Sequence, residues 1–282
     1  MAKLNPVVVL SFLLAVASPL AHGWGADGHS VIGEVAQRRL TPAASKAIAQ
    51  ILGTGVSLAS VSNWADDVRD ARPETYNWHF VNIPIAEQDP DPDKHCKPDP
   101  RGDCIVAELD RLRNELRCAP TAEKKKDALR FAVHFVGDIH QPLHTIEDAK
   151  GGNLLQVTVN VRGETCTRSC VPTPTPYKLH AVWDTVLIEK AVWNWGAMVE
   201  LVERDLAASM AGATKSRKPR AWALETYLVA RDVWAMTPAD RVIDEQYYRA
   251  TAPIVRQQLG RAGLRLAQFL NDAYASQSCP GK

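Results

Sequence analysis

The stretch AVHFVGDIHQPLH, residues 132–144, decides how the rest of the chain is read. Apolar residues recur at three- and four-residue spacing from position 124 to 139, which predicts an amphipathic helix that Pro142 cannot continue. On that helix His134 and Asp138 lie one turn apart on the same face, so an imidazole and a carboxylate project side by side from a rigid support. His144 follows on the turn beyond the proline. The pattern recurs in LHAVWDT, residues 179–185, where His180 and Asp184 have the same spacing. Upstream, Asp66 in NWADDVR and His79 in NWHFVN add further donors.

Taken singly, each of these residues reads equally well as a core histidine or a helix-surface acid. Together they form a set of nitrogen and oxygen donors without cysteine. That set suits zinc, and manganese or iron less well.

Working outward, helical periodicity also marks residues 31–40, 43–52, 58–70, 104–116, 191–208, 221–233 and 238–274. Residues 154–161, LLQVTVNV, alternate and predict a strand. The Pro/Asp-rich segment 84–100 is a loop, and PTPTP at 172–176 follows another. No repeat or long linker divides the chain. The expected fold is mainly α, a single helical domain with a small β-hairpin.

Lys3 precedes the apolar run VVVLSFLLAVA at residues 7–17, with small residues Ala21 and Gly23 ahead of Trp24. This is the anatomy of a secretory signal peptide over residues 1–23, leaving 24–282 as the mature domain, exported to the periplasm or beyond the cell. The apolar run is shorter than the roughly 18 residues that a membrane span needs. Cys96, Cys104, Cys118, Cys166, Cys170 and Cys279 all follow the leader, and an even number in an oxidising compartment implies three disulfides. Spacing alone leaves about fifteen pairings open. With 33 Lys and Arg against 32 Asp and Glu, the chain has no bulk basic field to attract a polyanion, so local groups or metal ions must do so.

In order, WGADGH at 24–29, NWADDVR, WHFVN, VHFVGDIHQPLH, GGN at 151–153 and LHAVWDT resemble the type I zinc-dependent nucleases, the fungal single-strand nucleases and plant bifunctional nucleases. The resemblance implies a helical domain holding three zinc ions. Trp24 would bind one through its free α-amine and carbonyl, with His29 and Asp138. Asp66, His79, His134 and Asp138 would bind a second, Asp138 being shared, and His144, His180 and Asp184 a third. The ligand in NWADDVR would be Asp66 and not Asp67. A hydroxide held between the paired ions would attack phosphorus and release 5′-phosphorylated products. Arg69 would stabilise charge on the phosphate, Phe80 would stack a base, and Asn153 would bind a base or phosphate. Asn82 stands where fungal members carry an aspartate in the base pocket. Single-stranded DNA, RNA and 3′-nucleotides are the implied substrates of a monomer. The family's disulfide pattern implies Cys96–Cys279, with Cys104–Cys118 and Cys166–Cys170 for the remainder. His95 and His140 receive no ligand role and are expected at the surface.

Two other readings fit parts of the pattern. A zinc phospholipase C of related fold would carry a glutamate as its last ligand, where this chain has Asp184. A non-catalytic exported zinc-binding protein would want closed four-ligand sites or a His-rich tract.

Overall fold

The computed structural model describes residues 23–213, 216–275 and 279. The expected leader, residues 1–23, lies outside this span except for Gly23. Helices dominate: α1 (Ala26–Gln37), α2 (Pro42–Leu52), α3 (Leu58–Val61), α4 (Trp64–Val68), α5 (Ile105–Cys118), α6 (Ala122–Asp138), α7 (Leu179–Ala181), α8 (Leu187–Ala191), α9 (Trp195–Ala213), α10 (Pro219–Ala235) and α11 (Glu245–Tyr274). A three-stranded sheet in the order β2-β1-β3 completes the domain. β1 (Gln156–Val159) pairs antiparallel with β2 (Thr175–Lys178), Gln156 opposite Lys178, and parallel with β3 (Val242–Ile243). The expected hairpin is therefore present, with a strand added from just before α11.

α11 is the central pillar, packed on α9, α1, α6, α2 and α5. Its buried stripe runs through Val255, Leu259, Ala262, Leu266 and Leu270 at helical spacing. Close approach to α1 depends on Gly263, where a Cβ would lie 2.7 Å from Val35 Cβ. α6 enters the core beside them, its N-terminus capped by Thr121 Oγ1 accepting from the Lys124 amide at 3.2 Å. Its last turns, from Phe131 to Asp138, are buried. Among the described residues no helix is long and apolar enough to cross a membrane.

Several expectations change. Residues 58–70 form two short helices instead of one, because the chain breaks at Ser62–Asn63. The helix expected from 238 starts at Glu245, with Asp244 Oδ1 capping the Tyr247 amide at 2.9 Å. The disulfides are Cys96–Cys104, Cys118–Cys279 and Cys166–Cys170. Only the last matches the family-based pairing. Cys104 at the start of α5 faces back to the proline loop, so the loop is closed locally. The far end of the same helix, at Cys118, takes up Cys279 beyond α11. His140 is fully buried, not a surface residue. Its Nδ1–H donates to the Val136 carbonyl at 2.7 Å, and its Nε2 accepts from Arg265 Nη1 at 3.0 Å. His95 is half-buried and pairs with Glu87 at 2.8 Å.

Candidate metal centre

The expected donor side chains arrive at one buried locus from several different elements. His29 comes from α1, Asp66 from α4, His79 from the end of a 3-10 turn (Pro73–His79), and His134 and Asp138 from α6. His144 lies on the turn Pro142–Thr145, His180 on α7, and Asp184 on a π-helical turn (Val182–Val186). The α-helical spacing inferred for His180 and Asp184 is thus carried by a wider turn, which still brings His180 Nε2 to 3.5 Å from Asp184 Oδ2.

Three groupings of ligand-type atoms result: His29, His134 and Asp138; Asp66, His79 and His134; His144, His180 and Asp184. Asp138 joins the first two. Its Oδ1 lies 3.2 Å from His29 Nε2, and its Oδ2 lies 3.0 Å from His79 Nδ1 and 3.1 Å from His134 Nε2. The His29 ring stacks on His134 with centroids 3.9 Å apart. In the third grouping the Nε2 atoms of His144 and His180 face each other at 3.1 Å.

Three of the histidines are oriented by backbone carbonyls. His134 Nδ1 donates to Ser62 O at 2.7 Å, His144 Nδ1 to His79 O at 2.7 Å, and His180 Nδ1 to Gly151 O at 2.6 Å. In the neutral ring each bond fixes the tautomer and leaves Nε2 as a lone-pair donor pointing into the cluster. Gly151 supplies its carbonyl from an unusual backbone, since Ala149, Lys150, Gly151 and Gly152 all have positive φ, from 47° to 79°. Side chains there cost roughly 1–2 kcal/mol per residue. A Cβ on Gly151 would collide with the Leu143 carbonyl, so glycine is required at that position.

The chemistry of the buried set demands positive charge. His29 Nδ1 and Nε2, both Asp66 oxygens, His79 Nε2, His134 Nε2 and Asp138 Oδ1 are buried and make no hydrogen bond of good geometry, although His29 Nε2 and His134 Nε2 lie 3.2 and 3.1 Å from the Asp138 carboxylate. Leaving so many buried polar atoms unpaired would be costly unless a cation takes them up. The protonation equilibria are pulled apart accordingly. Burial, aided by His134, lowers His29 to about 4, and burial with His144 lowers His180 to about 3. Burial also lowers His79. Against its own burial, His134 is raised to about 9 by Asp138 and Asp66. Asp138 is held well below the usual carboxylate range: burial would raise it, but His134 and His144 outweigh this. Asp184 is pushed well above that range, first by burial and then by Asp138 and Asp66. Metal ions fit this donor set.

The chain's N-terminal end reaches the same place. The Gly25 amide donates to the Asp184 carbonyl at 2.8 Å, and the Trp24 ring is fully buried. A Cβ on Gly23 would fall on the Asp138 carboxylate, 2.7 Å from its Cγ and 3.1 Å from His29 Nε2. The residue before Trp24 therefore stands inside the ligand cluster.

Above the centre lies a cleft of about 510 Å³ whose lining includes His79, His144 and His180 together with Arg69, Phe80, Asn82 and Asn153. Arg69 is buried and approaches Asp66 Oδ1 at 3.8 Å. Phe80 and Asn82 also line an adjoining cavity of about 180 Å³. Asn153 Nδ2 donates to the Lys150 carbonyl at 3.0 Å, leaving its Oδ1 without a partner. Asp67 is exposed and turned to Asn63, at 3.3 Å. Sequence reasoning missed Gln141, which lies between the two histidines of its own motif. Its Nε2 donates to Asp184 Oδ1 and its Oε1 accepts from the Leu143 amide, both at 2.5 Å. Its position inside HQPLH was the available signal.

A mainly helical domain thus gathers histidine and aspartate clusters that could hold metal ions beneath an open cleft. The S1/P1 nuclease family is matched over residues 24–275, and the chain belongs to that family. It is 31% identical to Endonuclease 2 of Arabidopsis thaliana, over 94% of this chain and 95% of that protein. It is also similar to Nuclease S1 of Aspergillus oryzae (29%; 98% and 99% covered) and Nuclease P1 of Penicillium citrinum (28%; 90% and 99%). The protein is accordingly a hydrolytic nuclease.

Proposed function

We propose that this protein is an exported, zinc-dependent nuclease that cleaves single-stranded DNA and RNA to 5′-phosphorylated products and also acts as a 3′-nucleotidase. The orphaned buried donors around Asp138 are the observation that carries the reading. Three zinc ions would be held by Trp24, His29 and Asp138; by Asp66, His79, His134 and Asp138; and by His144, His180 and Asp184. Bound zinc would supply Lewis acidity towards phosphoryl oxygens and bring the pKa of a water molecule down to about 7.

The remaining work falls to the chain's own groups. Asp138 and Asp66 supply the carboxylate charge that gathers the cations. Arg69, buried at the cleft floor, offers N–H donors to a non-bridging phosphate oxygen as negative charge develops. Phe80 presents a ring on which an unstacked base can lie, which a base inside a duplex cannot do. Asn82 beside it offers polar contact to the base edge, and Asn153 does the same near the third grouping.

Cleavage after Gly23 would convert the Trp24 nitrogen from an amide into an amine, at the point where Gly23 now crowds Asp138. The disulfides and the leader agree with maturation outside the cytoplasm, in the periplasm or beyond, of one domain from 24 to 282. The test is to measure zinc per chain and hydrolysis of single-stranded DNA by protein starting at Trp24, beside the same chain with one extra N-terminal residue. About three zinc ions and activity in the first, with a large loss of both in the second, is expected. Zinc without nucleolysis would overturn the substrate assignment. Equal activity in both would remove the role given to the terminal amine.

A further inference from the structure

Tyr76 and two arginines line the same cleft as His144 and His180. The Arg101 guanidinium lies over the Tyr76 ring, 3.6 Å from its centroid, and the Arg69 guanidinium lies 5.2 Å from the same ring. Tyr76 in turn packs edge-on to Phe80 at 5.9 Å. Arg69 is buried against the centre, whereas Arg101 is exposed, so Arg101 marks the cleft mouth.

Arg101 is held there by its backbone. Its carbonyl accepts from the Asn77 amide at 2.8 Å, and the Asn77 side chain donates to the Gly102 carbonyl at 2.8 Å. Gly102 has φ +95° and packs so tightly on Trp78 that a Cβ would lie 2.6 Å from the indole. The Cys96–Cys104 disulfide closes the loop behind. Of the neighbouring acids, Asp103 forms two bonds to Arg111, at 2.7 and 2.9 Å, and Asp99 Oδ1 accepts from the backbone amide of Arg101, not its guanidinium, at 2.7 Å. The guanidinium of this exposed residue therefore stacks on an aromatic face and has no acidic partner among the described residues. Lys150 and Lys178 line the same cleft, where Glu147 is the one carboxylate among the described residues.

Resting on the polynucleotide substrate proposed above, we propose that Arg101, stacked on Tyr76, is a second phosphate subsite. It takes a phosphodiester of a nucleotide neighbouring the one being cleaved, and so favours chains over short substrates. The guanidinium fork matches a phosphate, and the stack fixes its plane without consuming its donors.

The test compares kcat/KM for a decathymidylate and for a dinucleotide, across a salt series, in the zinc-loaded wild type and in Arg101→Ala. Thermal melting verifies that the variant folds, and Tyr76→Leu, which removes the ring beneath Arg101 but keeps its charge, is a second variant. In Arg101→Ala the ratio of decamer to dinucleotide kcat/KM should fall about tenfold, the worth of one charge-assisted contact, through KM more than kcat. The slope of log affinity against log salt should shrink by about 0.7, the share of one single-strand phosphate. Tyr76→Leu should lie between the two. An unchanged ratio and slope would overturn the subsite, as would equal losses on both substrates, which would place Arg101 at the reacting phosphate. Failure of the wild type to cleave the decamer would instead overturn the polynucleotide reading itself.

Discussion

Gly137 sits one residue before Asp138 on α6, where alanine would normally be worth about 1 kcal/mol more in helix propensity. The structure reverses that sign. A Cβ at Gly137 would stand 2.7 Å from His29 Nδ1, 2.9 Å from His29 Cε1 and 3.3 Å from Ile32 Cδ1. The ring has no room to retreat, because His29 is fully buried and stacked on His134, with Nε2 held 3.2 Å from Asp138. Overpacking a rigid core costs roughly 1–3 kcal/mol, which exceeds the propensity gain. For a domain of this size each kcal/mol moves Tm by about 2–4 °C, so Gly137→Ala should melt lower by a few degrees. The more telling readout is metal: with His29 displaced, zinc per chain should drop while the third grouping stays loaded. A variant that melted as high as the wild type with full zinc would show that the His29 ring can turn aside, and the geometric argument would fail.

Gln141→Leu removes the N–H donor from Asp184 Oδ1; zinc affinity at the third grouping should weaken by about 10–100-fold in a competition titration with a chelator, and unchanged affinity would refute the role. In the chain-entropy account, the Cys118–Cys279 disulfide, spanning 161 residues, should contribute about 5 kcal/mol against about 2.5 for Cys96–Cys104, spanning 8. Serine variants of each pair should therefore melt in that order, and peptide mapping that recovered a Cys96–Cys279 link would contradict the fold. Glu108, buried near Arg111, is pushed up to about 7 by burial from an ordinary 4.5. A raised folded value gives stability that is present below 4.5 and lost as pH rises through 7. Glu108→Gln should thus gain on the wild type in Tm between pH 4.5 and pH 7, and a constant difference would refute this.

What the sequence made legible was the part governed by short-range periodicity. His134 and Asp138 could be placed on one face because a helix fixes their separation, whatever packs around it. Asp184 was placed correctly relative to His180 although the backbone between them is a π turn, since the wider turn still leaves both side chains on one side. His140 was misread because its surroundings come from far along the chain. Arg265 and Gln258 on α11 cover it, and no local pattern announces a partner 125 residues away. The disulfides failed for the same reason: the pairing follows from α11 lying along α5, which brings the chain's end to Cys118 and leaves Cys104 to the proline loop.

The breaks in regular structure carry a different lesson. Inside an α-helix a carbonyl is committed to the amide four residues on. Ser62 lies between α3 and α4, His79 ends a 3-10 turn, and Gly151 belongs to a left-handed turn, so their carbonyls are released for other partners. Each accepts an Nδ1–H from a buried histidine: His134, His144 and His180 respectively. A continuous helix over 58–70, as periodicity suggested, would have withdrawn the Ser62 carbonyl and left His134 free to rotate. The irregular backbone is thus what turns well-placed histidines into oriented ligands. A backbone carbonyl has no residue type, which is why the donors were readable and their supports were not.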